Sequence, residues 1–316
     1  MANVGTFPLL KLPYLPIANV IQQFDSILER VNFATLSKRT AILVKSLKDI
    51  KVLGLKLTVS SDLKLKILRL GNEGRIEQGW TFPRDIDTPD FPFLVDYNRL
   101  KQLINTLFFI FGLSGFEKLE VAWEENGTLD IGRLQNLLGD LKTIKFYEFY
   151  STEFFDRVLA VFPMVKNVSM MGRPKNEVLI QNLGILKLST PSLDDLLLVN
   201  CESLEILTVG WPEKDLNRFL MIWTRGGNPR LKHLRVHWEM GTVIDRNVIF
   251  KAIQYQNRSQ DRKMTFKSYS LNVGKPETTE VLGGMNIKTK RGYKATITNE
   301  SGNGFGLLSW DMNVWD

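Results

Sequence analysis

Apolar positions near the start of the chain recur with a helical period. Ile17, Val20, Ile21 and Phe24 fall on one face, Ile27, Leu28, Val31 and Phe33 on a second, and Leu36, Ile42, Leu43, Val44 and Leu47 on a third. Ser37 stands where the third segment needs an N-cap, a hydroxyl able to accept from an otherwise unpaired backbone N–H. The spacing predicts three short helices, entered through a proline-broken apolar lead-in, FPLLKLPYLP at residues 7–16. A unit of about 40 residues builds little core of its own and tends to bury its apolar surface against a neighbour. From Lys51 the period changes to two. Val52, Leu53, Leu55, Leu57 and Val59, then Leu63, Leu65, Ile67, Leu68 and Leu70, predict two strands turning at Ser60-Ser61-Asp62. A loop through Pro83, Pro89 and Pro92 leads into an apolar helix over about 95–111.

Beyond residue 114 one spacing, Φxx-Φ-x-Φ with Φ apolar, recurs. It is met at Phe116-Leu119-Val121, Leu141-Ile144-Phe146, Val165-Val168-Met170, Leu183-Leu186-Leu188, Leu204-Leu207-Val209 and Leu231-Leu234-Val236. Amphipathic segments at 129–138, 154–162, 193–199, 216–223 and 248–253 separate the copies, with caps such as Ser192 with Asp195, and Asp245. Strand, turn and helix in repetition predict an α/β solenoid. The core spacing is that of a leucine-rich repeat, and the copies follow one another near its period of ~20–29 residues. The Asn or Cys that usually follows that core is missing, so the repeat is degenerate. A β tail over 264–316 closes the chain. It holds a hairpin turning near Lys290-Arg291-Gly292 and a last strand, LLSWDMNVWD, expected at an edge. The fold class is therefore α/β (α+β overall): a three-helix unit, then a degenerate leucine-rich-repeat-like solenoid over about 114–256, then a C-terminal β-hairpin and edge strand.

Composition narrows the picture only a little. The 316 residues suffice for about two domains. Forty-one Lys and Arg against 34 Asp and Glu leave +7, which permits an acidic partner without requiring nucleic acid. One cysteine, Cys201, excludes an internal disulfide and suits a reducing compartment, cytoplasm or nucleus. Lys11 and the prolines interrupt 7–16 too often for a signal peptide, and the apolar run at 107–113 falls far short of the ~20 residues that span a bilayer. The expectation is a soluble intracellular protein with no membrane partner. No nucleophile elbow, P-loop or dinucleotide fingerprint occurs, so no catalytic residue and no cofactor is assigned. His233 and His237 would hold a metal only if helical; in the strand their neighbours predict, they stand about 13 Å apart, and no metal is assigned.

What a solenoid does offer is surface. Polar positions of each copy point away from the apolar face: Lys118 and Glu120, Lys145 and Tyr147, Asn167 and Ser169, Lys187 and Ser189, Thr208, and His233, Arg235 and His237. Lys145, Lys187 and Arg235 occupy equivalent central positions, a basic, aromatic-edged ladder able to receive an acidic or phosphorylated peptide. The candidate substrate-binding residues are thus Lys145, Tyr147, Lys187, His233, Arg235 and His237. Solvated strand faces carry Lys and Arg in any case, and a nucleic-acid reading of this one lacks a stacking-aromatic module.

Residues 7–48 resemble an F-box, especially its nematode variants, in the Leu-Pro entry, the trio of short helices and the Ser37-Lys38-Arg39 start of the third; the tryptophan many members carry in that helix is missing. VLIQNLGILKL (178–188), SLDDLLLVN (192–200), EKDLNRFLMIW (213–223) and GGNPRLKHLRV (226–236) resemble the nematode F-box-associated domain of type 2, as do GYKATI at 292–297 and MNVW at 312–315. The resemblance implies an F-box over 6–49 and a substrate-recognition domain over 50–316, with the family stretch at 178–236. It implies a non-catalytic substrate receptor of an SCF-type ubiquitin ligase. A Skp-family adaptor, tied to cullin and RING subunits, would dock on Pro8, Leu9, Leu10, Leu12, Pro13, Ile17, Val20 and Ile21, and the second domain would hold a protein substrate. The alternatives from other classes are an interaction scaffold without a ubiquitin role and a nucleic-acid binder.

Overall fold

A computed structural model describes residues 13–24, 26–60, 62–71, 74–83, 96–122, 131–147, 152–172, 176–207, 212–239, 242, 244–259, 261, 263–269, 276–303 and 307–315. The chain divides into two compact units, residues 1–141 and 142–316. Both mix α and β structure.

The first unit opens with α1 (Tyr14–Gln22), α2 (Ile27–Ala34) and α3 (Lys38–Leu47). Ile17, Ile21, Ile27, Val31, Leu43 and Val44 are buried. Two capping boxes set the helix starts. Ser26 accepts from the N–H of Glu29, whose carboxylate reaches back to the Ser26 N–H; Ser37 and Thr40 exchange the same pair of bonds. α1 starts earlier than the sequence predicts. Pro13 is its N-cap and Pro16 sits in the first turn, where a missing N–H leaves no helical bond unmade.

β1 (Val52–Val59) and β2 (Asp62–Gly71) pair antiparallel, as the alternation predicts. β3 (Gly74–Pro83), expected as loop, extends them into a meander. Its described side chains are half-exposed or exposed, which left no apolar alternation to read. Gly79 lets it close on β2, since a Cβ there would lie 1.9 Å from the Leu65 carbonyl oxygen. α4 (Tyr97–Phe111) starts on an Asp96 cap and ends at Gly112, left-handed at φ 64°. β4 (Gly115–Val121) then lies parallel to β1, with Leu57 beside Leu119 and Val59 beside Val121, and α5 (Ile131–Leu138) follows. The strand order in this unit is β4-β1-β2-β3.

From Lys142 the second unit runs through β5 (Asp140–Phe146), α6 (Thr152–Val161), β6 (Asn167–Ser169), α7 (Asn176–Leu179), β7 (Ile185–Ser189), α8 (Leu193–Leu198), β8 (Ser203–Leu207), α9 (Glu213–Thr224), β9 (His233–Glu239) and α10 (Arg246–Ile249). It continues with β10 (Tyr255–Asn257), a separate hairpin of β11 (Lys263–Tyr269) and β12 (Pro276–Leu282), and then β13 (Met285–Lys288), β14 (Lys294–Asn303) and β15 (Leu307–Val314). Strands β5 to β9 are parallel neighbours. Ile144, Val168, Leu186, Leu204 and Leu234 form one buried row across them, and Phe146, Met170, Leu188, Ile206 and Val236 a second. Helix residues Phe155, Leu196, Leu216, Phe219 and Trp223 are buried too, and the rings of Phe146 and Phe155 meet edge to face at 4.9 Å.

Two expectations need correction. The fifth copy is not Leu204-Leu207-Val209 but Cys201-Leu204-Ile206: Leu186 pairs with Leu204 and Leu188 with Ile206, while Leu207 turns to the other face. β15 is not an edge. It lies between β9 and β14, antiparallel to both, with Trp310 and Met312 in the buried layer. The edge beyond the hairpin is the short, exposed β10.

Candidate functional site

The sheet of the second unit carries three polar rows on the face opposite its apolar layer. Thr143, Asn167, Ile185, Ser203, His233 and Asn313 form one; Lys145, Ser169, Lys187, Glu205, Arg235 and Asp311 the next. In the third, Ser189, Leu207, His237 and Ser309 follow one another. Lys145, Lys187 and Arg235 are in equivalent positions, as the periodicity predicts, but the ladder is not basic. The register of β8 puts Glu205, not Thr208, between Lys187 and Arg235, and β15 puts Asp311 beside Arg235.

These acids organise the face. Lys187 Nζ donates to Glu205 Oε1 at 2.5 Å, and Arg235 Nε donates to Asp311 Oδ1 at 2.6 Å. Each histidine bridges a serine and a carboxylate: His233 reaches Ser203 Oγ through Nδ1 at 3.1 Å and Asp311 through Nε2 at 3.2 Å. His237 reaches Ser309 Oγ through Nδ1 and Glu205 through Nε2, both at 3.1 Å. An ionised carboxylate only accepts, so each Nε2 carries a proton and each Nδ1 faces a serine hydroxyl. Burial pushes the Glu205 carboxyl up, but the His237 bond and the Lys187 charge outweigh it and bring it down to about 2. Asp311 is likewise held below the usual carboxylate range, burial being outweighed by the His233 bond and the Arg235 charge.

The sequence of groups, hydroxyl to imidazole to carboxylate, is that of a hydrolytic relay, yet Ser203, His233 and Asp311 are only 1%, 3% and 2% exposed. No substrate reaches a serine so enclosed; the relay ties β8, β9 and β15 together. Of the substrate-binding candidates, Tyr147 is exposed with Lys145 Nζ 4.1 Å from its ring centre, Lys187 and Arg235 are half-buried, and His233 and His237 are buried. Ser203, Glu205, Ser309 and Asp311 escaped sequence reasoning. Their signal was the polar half of two alternations, S-x-E in SLEIL and S-x-D-x-N in SWDMN.

Cys201, which opens the corrected copy, is buried, and burial pushes its thiol up to about 12. The sheet of the first unit is cross-paired too, Lys56 and Lys118 both meeting Glu120, at 3.5 and 2.8 Å.

The N-terminal helices present a second surface. Pro8, Leu9, Leu10 and Leu12 lie outside the described residues. Pro13 and Val20 are exposed beside Tyr14 and Leu15, the last at 71%. Ile17 and Ile21 have no exposed surface at all: they lie in the core of their own unit, which corrects their assignment to an outward face. On another side of these helices, Leu36, Ile42 and Phe109 rim a cavity of about 700 Å³ between the α2–α3 turn and α4. Among the described residues, no helix is long and apolar enough to cross a membrane.

Comparison with known proteins bears on the second unit first. Residues 175–236, from α7 into β9, match the family described as F-box associated. The F-box associated domain-containing protein sdz-33 of Caenorhabditis elegans is 27% identical over 139 residues, 43% of this chain and 45% of that relative. The match thus spans less than half of the relative's length. No solved structure matches. The resemblance to F-box-associated domains read from the sequence is therefore shown.

Proposed function

We propose that this chain is the substrate-recognition subunit of an SCF-type E3 ubiquitin ligase. Residues 6–49 act as an F-box that docks a Skp-family adaptor, and through it the cullin and RING subunits; residues 50–316 hold the target protein. The observation that carries this reading is the F-box associated match at 175–236 in a chain whose N-terminal unit holds three short helices, two of them started by capping boxes, bearing exposed apolar side chains. A helix trio that leaves Tyr14, Leu15 and Val20 in water gains by covering them, and a standard interface buries about 800 Å² per partner. The adaptor face is Pro8, Leu9, Leu10, Leu12, Pro13 and Val20, with Ile17 and Ile21 behind it fixing α1 on its unit. The leucine-rich-repeat-like strands present the target, whose contacts fall on Lys145, Tyr147, Lys187 and Arg235, with His233 and His237 holding the face beneath. The chain needs no cofactor and does no bond-breaking of its own: it raises the effective concentration of the target's lysines beside the charged ligase. It works in the cytoplasm, the nucleus or both.

The test is co-purification of a Skp-family adaptor with the full chain. Leu15→Asp with Val20→Asp removes apolar contact without touching the core, and adaptor recovery should fall at least about tenfold. Unchanged recovery from a variant with an unaltered melting temperature would overturn the docking assignment.

A further inference from the structure

A cavity of about 340 Å³ opens at the end of the second unit's sheet where β9 begins. Four pieces of chain build it: Glu202 just ahead of β8, the run from the end of α9 to β9, the turn between β13 and β14, and the exit of β15. Aromatic walls come from Trp223, Tyr293 and Trp315. The position of Trp315 is fixed, its Nε1 donating to Thr296 Oγ1 at 3.0 Å. The β13–β14 turn is pinned as well. Lys290 N–H donates to the Thr224 carbonyl at 2.8 Å, and Gly226 and Gly227 N–H take the carbonyls of Trp223 and Ile222. The carbonyls that end α9 are thus occupied and present little negative charge to the cavity.

The polar lining is lopsided. Arg230, Lys232 and Arg291 face one carboxylate, Glu202. Glu202 is shared by Arg230 at 3.6 Å and Lys232 at 3.1 Å, which leaves Arg291 with no carboxylate partner among the described residues. Gly226, at φ 101°, makes room for it: a Cβ there would lie 3.3 Å from Arg291 Nε. Beside it, Thr289 Oγ1 is buried with no hydrogen-bond partner. Buried hydroxyls are normally satisfied, so Thr289 Oγ1 is the group here that lacks a partner, while the exposed Arg291 guanidinium is held by water and open to exchange it for an anion.

We propose that this cavity is a peptide-binding site that takes an acidic segment, an Asp or Glu carboxylate on Arg291 and Thr289 with an adjoining apolar side chain against Trp223, Tyr293 and Trp315. One free guanidinium and one hydroxyl match a singly charged carboxylate; a doubly charged phosphate asks for more open donors than Arg230 and Lys232, both engaged by Glu202, leave it. The volume lies at the small end of ligand sites, suited to two or three side chains of an extended segment. The inference deepens the substrate-receptor reading and rests on it for the origin of the peptide: an acidic segment of the target anchors here, at the sheet's end, in addition to the contacts along its polar rows.

The experiment uses the purified full chain and pools of fluorescein-labelled hexapeptides, random except for one fixed central residue: Glu, Gln, Lys or phosphoserine. Fluorescence anisotropy should select the Glu pool over the Gln pool by about tenfold, the worth of a charge-assisted bond, with apolar residues enriched beside the Glu. Arg291→Ala should abolish that selectivity, Arg291→Glu should move preference to the Lys pool, and Thr289→Val should weaken Glu binding several-fold. Lys214→Ala and Lys251→Ala, exposed cations of the same unit outside the cavity, should leave it unchanged. Selectivity that survives Arg291→Glu in a variant of normal melting temperature, a phosphoserine pool that outcompetes Glu, or no pool preference at all would each overturn the proposal. Adaptor co-purification is scored separately, so failure of the ligase reading and failure of this site give different results.

Discussion

Glu205 and Asp311 decide the character of the polar sheet face, turning a row of cations into a set of closed ion pairs. Both carry folded-state pKa values below those of a free carboxylate, Glu205 falling from 4.5 to about 2. A depressed carboxylate stabilises the fold while ionised, so its contribution is complete above the ordinary carboxylate range and disappears as pH falls through the folded value. For Glu205 the window runs from about pH 4.5 down to about 2, and the contribution above it is on the order of 3 kcal/mol. Glu205→Gln should therefore melt well below the parent chain at neutral pH and converge on it near pH 2. Thermal melts of both chains across that range check this; a gap that does not change with pH would refute it. Neither acid was legible as a site residue. The sequence shows that Ser203 and Glu205 alternate with apolar neighbours, but not which strand lies beside theirs. Asp311 meets Arg235 only because β15 inserts next to β9, a pairing between residues 76 apart in the chain.

At the scale of single elements, local chemistry was the most legible. Ser37 was readable as an N-cap because hydroxyl, helix formers and apolar period coincide, and its capping box is present with Thr40 in the place usually taken by Glu or Gln. Ser37→Ala removes the acceptor of the Thr40 N–H and should destabilise the first unit by about 1 kcal/mol, measurable as a lower denaturant midpoint with unchanged slope. An unshifted midpoint would mean the cap contributes nothing. Strands were legible where one face is apolar and the other polar. β3 failed that criterion because its described side chains are half-exposed or exposed, and its place is set by Gly79 closing on β2, a constraint that only the neighbouring strand reveals. The slip at β8 has a simple origin. Leu207 is apolar but lies on the polar face, and it completed a false copy one turn of pattern too late, while the true copy began with a cysteine doing the work of a leucine.

Across the whole molecule, the six strands of the repeat spacing were found from periodicity alone, since burial of one face imposes it. The central position of the last strand was not, because polar residues bound to polar neighbours in an interior row alternate just as they would in water. The N-terminal helices were legible from their apolar period and the F-box associated stretch through resemblance; the carboxylate-seeking cavity was not, its parts being drawn from residues 202–232, 289–293 and 314–315. Cys201 adds a practical consequence. The chain's single thiol is sealed within the second unit and keeps its proton at ordinary pH, so reagents that attack thiolates are blocked while the sheet is shut. Its modification rate is thus an intrinsic stopwatch for opening of that unit, needing no label or probe. The rate should rise with urea in step with loss of tryptophan signal, and slow again when an acidic peptide is bound. Immediate modification in native buffer would mean that the seal does not exist.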